Sequence, residues 1–160
     1  MGDDNVFLGT YAGGETTRIG SDNVAIGHKA LLSGGVCQNI AIGYRAGCRS
    51  DFTCGSIFIG YDAGENATNI THGIIIGYAA GHNHEGNYNV LIGKKAGYGY
   101  DSSSDGDNNI AIGKCAAHEL DEGENNVFMG RYVAYSCKLD GCYNVALGNL
   151  AAQNLTTGND

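Results

Sequence analysis

The sequence contains no proline and no tryptophan, and only nine lysines and arginines against 17 aspartates and glutamates. A net charge of −8 repels phosphate backbones, so no nucleic-acid partner is expected. No apolar run reaches the length of a membrane span, which gives no expectation of membrane insertion. The start, Met1-Gly2-Asp3-Asp4, lacks the basic and apolar regions of a secretion signal. Without proline and without a three-residue period, the 27 glycines do not describe a collagen helix. At 42% hydrophobic residues, the chain is not a disordered one either.

What is present is a repeat. The pentapeptide Asn23-Val24-Ala25-Ile26-Gly27 recurs nine times with small changes, the copies ending at Gly9, Gly27, Gly43, Gly60, Gly77, Gly93, Gly113, Gly130 and Gly148. Intervals run from 16 to 20 residues, a period that marks one unit stacked on the next. Residues 1–160 therefore form a single repeat domain, and each unit depends on its neighbours to bury its apolar side. At one strand per unit and the usual strand spacing, the stack is about 40 Å long.

Within each copy, alternation assigns residues to two strand faces. One carries aliphatic residues, Val24, Ile26, Ile40, Ile42, Ile57, Ile59, Ile74, Ile76, Ile110 and Ile112 among them, and is expected to fill the coil as its structural core. The other carries Phe7, Ala25, Ala41, Phe58, Ile75, Leu91, Ala111, Phe128 and Ala146, none of them polar. A strand apolar on both faces is buried on both, so this second set is expected to pack against another copy of the chain as an oligomer interface. Three positions past each glycine stands a small residue, Ala12, Ala30 and Ala46 among them, suited to a corner. Asparagine precedes seven of the nine strands, and its amides stacked in register predict a hydrogen-bonded ladder. These patterns predict an all-β fold, a parallel β-solenoid or β-roll of about nine coils.

The motif Asn-[Val/Ile]-x-[Ile/Leu]-Gly-x-x-Ala resembles the head repeats of trimeric autotransporter adhesins. Tyr44-Arg45-Ala46-Gly47, Tyr61-Asp62-Ala63-Gly64 and Tyr78-Ala79-Ala80-Gly81 bring it closer to the Asn-x-x-Ile-Gly-Tyr-x-Ala-Gly repeats of phage and virus tail-fibre proteins. The resemblance implies a homotrimer of side-by-side coils, at a virion surface or outside the cell, attaching to a host carbohydrate or protein receptor. Ile42-Gly43-Tyr44-Arg45-Ala46-Gly47 also resembles the hexapeptide of left-handed β-helix acyltransferases, which are trimeric too. Those enzymes carry an aliphatic residue every six positions, whereas Gly14 and Gly20 stand where they are due after Leu8. The acyltransferase is therefore the alternative, and no enzymatic activity is the main expectation.

Catalytic residues do not emerge from the pattern. Among five histidines only His82 and His84 have ligand-like spacing, and they are the candidates for a transition metal; solvated loop histidines are the favoured reading. Asp101, Asp105 and Asp107 offer oxygen ligands of the kind calcium takes, without the EF-hand spacing, and Asp121, Glu122 and Glu124 form a second acidic cluster. A solvated acidic surface is the expectation for both, and no cofactor is expected. Cys48 and Cys54, and Cys137 and Cys142, bracket one loop each and suggest two disulfide clips; Cys37 and Cys54 occupy equivalent places in adjacent coils and offer an alternative pairing. Ten tyrosines in or near loops suit either recognition or the covering of core edges.

Overall fold

The computed structural model describes residues 2–14, 19–33, 36–51, 53–99, 104–135 and 138–158. Nine strands form one parallel sheet in chain order: β1 Val6–Leu8, β2 Val24–Ile26, β3 Ile40–Ile42, β4 Ile57–Ile59, β5 Ile74–Ile76, β6 Val90–Ile92, β7 Ile110–Ile112, β8 Val127–Met129 and β9 Val145–Leu147. The chain is a β-solenoid of about eight turns. Each pentapeptide copy lies directly on the next, Val24 opposite Ile40, Ala25 opposite Ala41 and Ile26 opposite Ile42, and the same register holds along the stack.

Two backbone features turn the chain out of each strand. The strand-ending glycines have φ between 122° and 143°, and a Cβ at Gly27 would lie 2.4 Å from the carbonyl oxygen of Gly43, so conformation and space both demand glycine. Two residues later the backbone is left-handed at Tyr11, Lys29, Arg45, Asp62, Ala79, Lys95, Cys115, Tyr132 and Leu150, with φ between 49° and 61°. Each such residue costs about 1–2 kcal/mol. The corner is held by hydrogen bonds between coils, for example from the Lys29 amide to the Thr10 carbonyl at 3.0 Å and from the Arg45 amide to the His28 carbonyl at 2.9 Å.

The inside of the solenoid corrects the assignment of strand faces. The residues expected at an oligomer interface, Phe7, Ala25, Ala41, Phe58, Ile75, Leu91, Ala111, Phe128 and Ala146, point inward, and all but Phe7 are buried within the single chain. Those expected in the core, Val24, Ile26, Ile40, Ile42, Ile57, Ile59, Ile74, Ile76, Ile110 and Ile112, face outward and are half-buried or exposed. The reason is the length of the strand. In a three-residue wall only the middle side chain points into a narrow coil, and its two neighbours must point away. The corner alanines Ala30, Ala46, Ala63, Ala80, Ala96 and Ala116 and the opposite wall's Ile19, Val36, Ile70, Leu120 and Leu139 complete the core.

Size is balanced in some coils but not in all: Ala41 stands with Gly47, beside Leu31 and Phe58 of the neighbouring coils, and Phe128 stands with Ala134. In the balanced coils, where the middle strand residue is large, as in Phe58, Ile75 and Leu91, the residue four past the strand glycine is Gly64, Gly81 or Gly97. Where it is small, as in Ala25 and Ala111, that place holds Leu31 or Ala117. Close packing tolerates neither overlap nor void, which makes the two positions interdependent.

The asparagine ladder forms as the spacing predicts. Asn23 Oδ1 accepts from the Asn39 amide at 3.0 Å, Asn109 Oδ1 from Asn126, and Asn126 Oδ1 from Asn144 at 2.8 Å. Each Nδ2 also caps a carbonyl of the coil, as Asn126 does on Gly141 at 2.8 Å. Ser56 replaces asparagine in one coil, taking the Asn39 side-chain oxygen through its amide and passing on its own hydroxyl oxygen to the Gly73 amide. These bonds satisfy buried backbone groups that would otherwise each cost about 1–3 kcal/mol.

Candidate interaction surfaces

The outward sheet face is an apolar feature that runs the length of the stack. Two aliphatic or Met residues per strand, over nine strands, give one uninterrupted stripe. Exposure reaches 66% at Leu8 and 67% at Val145 at the ends of the stack, and is 37% at Ile40 and Ile42 within it. Side chains of one kind at every coil make the stripe flat and uniform. Apolar patches of this extent mark interaction surfaces in folded proteins.

A polar network crosses one flank. Arg45 makes a bidentate pair with Asp62, Nε to Oδ1 and NH2 to Oδ2 each at 2.9 Å, and its NH1 reaches Glu65 Oε1 at 2.7 Å. The other oxygen of Glu65 lies 3.2 Å from His82 Nε2, and His82 Nδ1 lies 2.8 Å from Asn83 Oδ1. Side chains of three consecutive coils are thereby tied together, with Asp62 and Glu65 buried. The guanidinium is held above its ordinary pKa range by its two carboxylate partners, against the opposing effect of burial.

His82 and His84 do not converge on a common point. His82 sits in this outer network and stacks on Tyr98, ring centres 4.9 Å apart. His84 is fully buried, contrary to the expectation of a solvated loop histidine, with Nε2 2.7 Å from Asn89 Nδ2. Burial pushes its pKa down to about 4, against the opposing pull of Asp107 and the Gly106 carbonyl. The split follows from the turn: residues two apart on a strand share a face, but His82 lies in the corner turn and His84 leaves it at a bridge to Ser104 of the next coil, with its ring inside. Among the described residues no group of three or more His, Cys, Asp or Glu side chains is placed to hold a metal ion.

The acidic clusters are also partly structural. Asp107 Oδ1 accepts from the Asn87 amide, and Asp101 lies outside the described residues. Asp121 is buried rather than solvated, paired with Lys138 and accepting from the Ser104 hydroxyl at 3.3 Å. Glu122 and Glu124 are exposed, as expected of a solvated surface.

The cysteines correct the Cys48–Cys54 clip. The disulfide joins Cys37 to Cys54, Cα atoms 4.8 Å apart and one coil from each other, while Cys48 is a buried free thiol. Equivalent places in stacked coils lie one strand spacing apart, which suits a disulfide without bending the chain. Burial, followed by the charge of Glu65, raises the Cys48 thiol above its usual range. Cys137 lies outside the described residues, so its pairing with Cys142 does not enter the description.

Beside the apolar stripe, the residue after the strand glycine builds an aromatic column in four successive coils. His28, Tyr44, Tyr61 and Tyr78 stack face to face with ring centres 5.2, 4.8 and 5.4 Å apart. From Lys94 onward the same column turns cationic: Lys94, Lys114 and Arg131 occupy it in successive coils. Lys95 stands next to Lys94, its Nζ 4.8 Å from the ring centre of Tyr98. The sequence reading did not find this cationic row, although aligning the copies on their glycines places its members in register.

Comparison with protein-family models, with curated proteins and with solved structures gives no match for this chain.

Proposed function

We propose that the chain is a structural and adhesive fibre module, a rod that associates with further copies of itself and presents loops for attachment. The observation that carries this is the uninterrupted outward apolar stripe of β1 to β9. A surface that repeats at every coil is matched over its whole length only by an object with the same repeat, and another copy of the rod is that object. The association number of three comes from the resemblance to tail-fibre and adhesin repeats, as does the assignment to a virion surface or the outside of a cell. The modified reading differs from the sequence expectation in one respect: the interface is formed by the Val24 and Ile26 type of position, not the Ala25 type. In an assembly of several parallel rods, weak contacts at equivalent loops add through avidity.

The test is the solution mass by light scattering, before and after mild heating in detergent. A mass near three chains that resists detergent supports the proposal. A monomer near 16.6 kDa overturns it.

A further inference from the structure

The chain carries 17 acidic side chains, yet one edge gathers cations that form no ion pair among the described residues. Lys94, Lys114 and Arg131 each follow a strand glycine and lie directly over one another. The Cys115 amide donates to the Lys94 carbonyl at 2.8 Å and the Tyr132 amide to the Lys114 carbonyl at 2.9 Å. Their backbones are therefore one coil apart, about 4.8 Å. Lys95 adds a fourth charge beside the first. Among the described residues the ion pairs engage Arg45, His82 and Lys138, and none of these four cations.

Aromatic rings are what they touch instead. Lys94 Nζ lies 5.4 Å from the Tyr78 ring centre, Lys114 Nζ 5.2 Å and Arg131 Cζ 4.7 Å from that of Tyr132. Hydrogen bonds from Lys114 and then Arg131 hold the Tyr132 phenol below its ordinary pKa. Other charged groups near the strip are Glu119, which with Lys95 acts on His118, and Glu65 and Asp62, which act on Tyr98 beside Lys95. Like charges directly opposite one another across a parallel pair destabilise it. Three in a row, exposed and outside every ion pair among the described residues, disfavour the stack unless an anion lies along them.

We propose that this strip binds an acidic polysaccharide, a polyuronate laid along the rod with its carboxylates facing Lys94, Lys114 and Arg131. A polyuronate carries a carboxylate on every sugar, a repeating negative charge for a repeating positive one. Its C–H faces and hydroxyls suit the rims and phenol groups of Tyr78 and Tyr132. A nucleic acid, with its denser and longer charged surface, meets the acidic remainder of the rod. The inference deepens the attachment function and rests on that reading.

The experiment is calorimetric titration of the whole chain with polygalacturonate at low salt, with a neutral glucan, inorganic polyphosphate and DNA as separate arms. The Lys114→Gln/Arg131→Gln variant is expected to bind polygalacturonate at least about tenfold more weakly, with a shallower salt dependence. A control variant, Lys29→Gln/Arg49→Gln, removes the same charge away from the strip and is expected to bind as the parent does. Melting temperatures no lower than the parent's establish that the variants fold. The inference is overturned by absence of polygalacturonate binding, by equal binding of the glucan, polyphosphate or DNA, or by equal loss in both variants. Solution mass on the same samples separates the two readings: a monomer that binds polygalacturonate through the strip defeats the self-association proposal and keeps this one.

Discussion

The ring of Phe58 fills the space that a side chain at Gly64 would need: a Cβ built there lies 2.4 Å from Cδ1 of the ring. Gly64 is left-handed at φ 59°; the equivalent Ala117 and Ala134 adopt φ 46°, Ala134 even beside Phe128, so the backbone admits alanine and the obstacle is the place that the Phe58 ring takes. Gly64→Ala is expected to cost about 2–3 kcal/mol, from overpacking and the left-handed backbone together. Phe58→Ala alone is expected to cost about 3–5 kcal/mol. Combined, the two cost less than their sum, because the second removes the clash of the first. Denaturant unfolding of all four proteins measures the coupling, and simple additivity would contradict the packing relationship.

The Cys37–Cys54 disulfide closes a loop of 17 residues. Loss of that cross-link is expected to destabilise the chain by about 3 kcal/mol. Melting with and without a thiol reductant reports it. Cys37→Ser/Cys54→Ser should melt as the reduced parent does and no longer respond to reductant, whereas Cys48→Ser should keep the response.

His84 makes stability depend on pH in a defined direction. Its folded pKa of about 4 lies below the unfolded value of 6.5. Below pH 6.5 the unfolded chain therefore binds a proton that the folded chain refuses, down to about pH 4. The contribution is complete above pH 6.5 and is lost as pH falls through this window, to an extent on the order of 3 kcal/mol. Unfolding free energies between pH 7 and pH 4.5 should fall less steeply for His84→Gln than for the parent; identical slopes would exclude the imidazole as the cause.

Lys29 is a bulky residue in a left-handed corner at φ 59°. Lys29→Gly relieves about 1–2 kcal/mol of backbone strain and adds about 0.5–1 kcal/mol of unfolded-chain entropy. The net expectation is a stabilisation of about 0.5–1 kcal/mol, visible as a higher melting temperature.

Ile59 and Ile76 are opposite one another on the outward stripe. Ile59→Lys/Ile76→Lys places two charges on that stripe without touching the interior. Under the self-association proposal, light scattering of this variant gives one chain where the parent gives several, while its circular dichroism stays that of the parent. An assembled mass in the variant would remove the stripe from the interface.

The strand positions, their parallel order and the asparagine ladder were legible because the glycine-terminated pentapeptide fixes both period and register. Which face points inward was not. Both faces of Asn23-Val24-Ala25-Ile26-Gly27 are apolar, so hydrophobicity alone could not orient it. Size carries part of the signal: the inward column varies from alanine to phenylalanine and is answered in some coils by Gly64, Gly81 or Leu31 four residues past the strand glycine, while the outward column is aliphatic or Met throughout. The interior position of His84 was not legible either, since the two-residue spacing from His82 says nothing of which one the corner turns inward. The disulfide required comparing columns across coils, Cys37 with Cys54, rather than neighbours along one loop.

The strand register repeats without change from β1 to β9, and each strand contacts only the strands beside it. A whole turn can therefore be removed or duplicated in the middle of the chain and the cut surfaces will meet as before. Change of length in such a molecule is quantised: it grows or shrinks by complete turns, and natural variation in length is expected to come in steps of 16 to 20 residues. The Cys37–Cys54 pair limits this freedom, because a turn inserted between its two coils would carry the sulfurs out of reach.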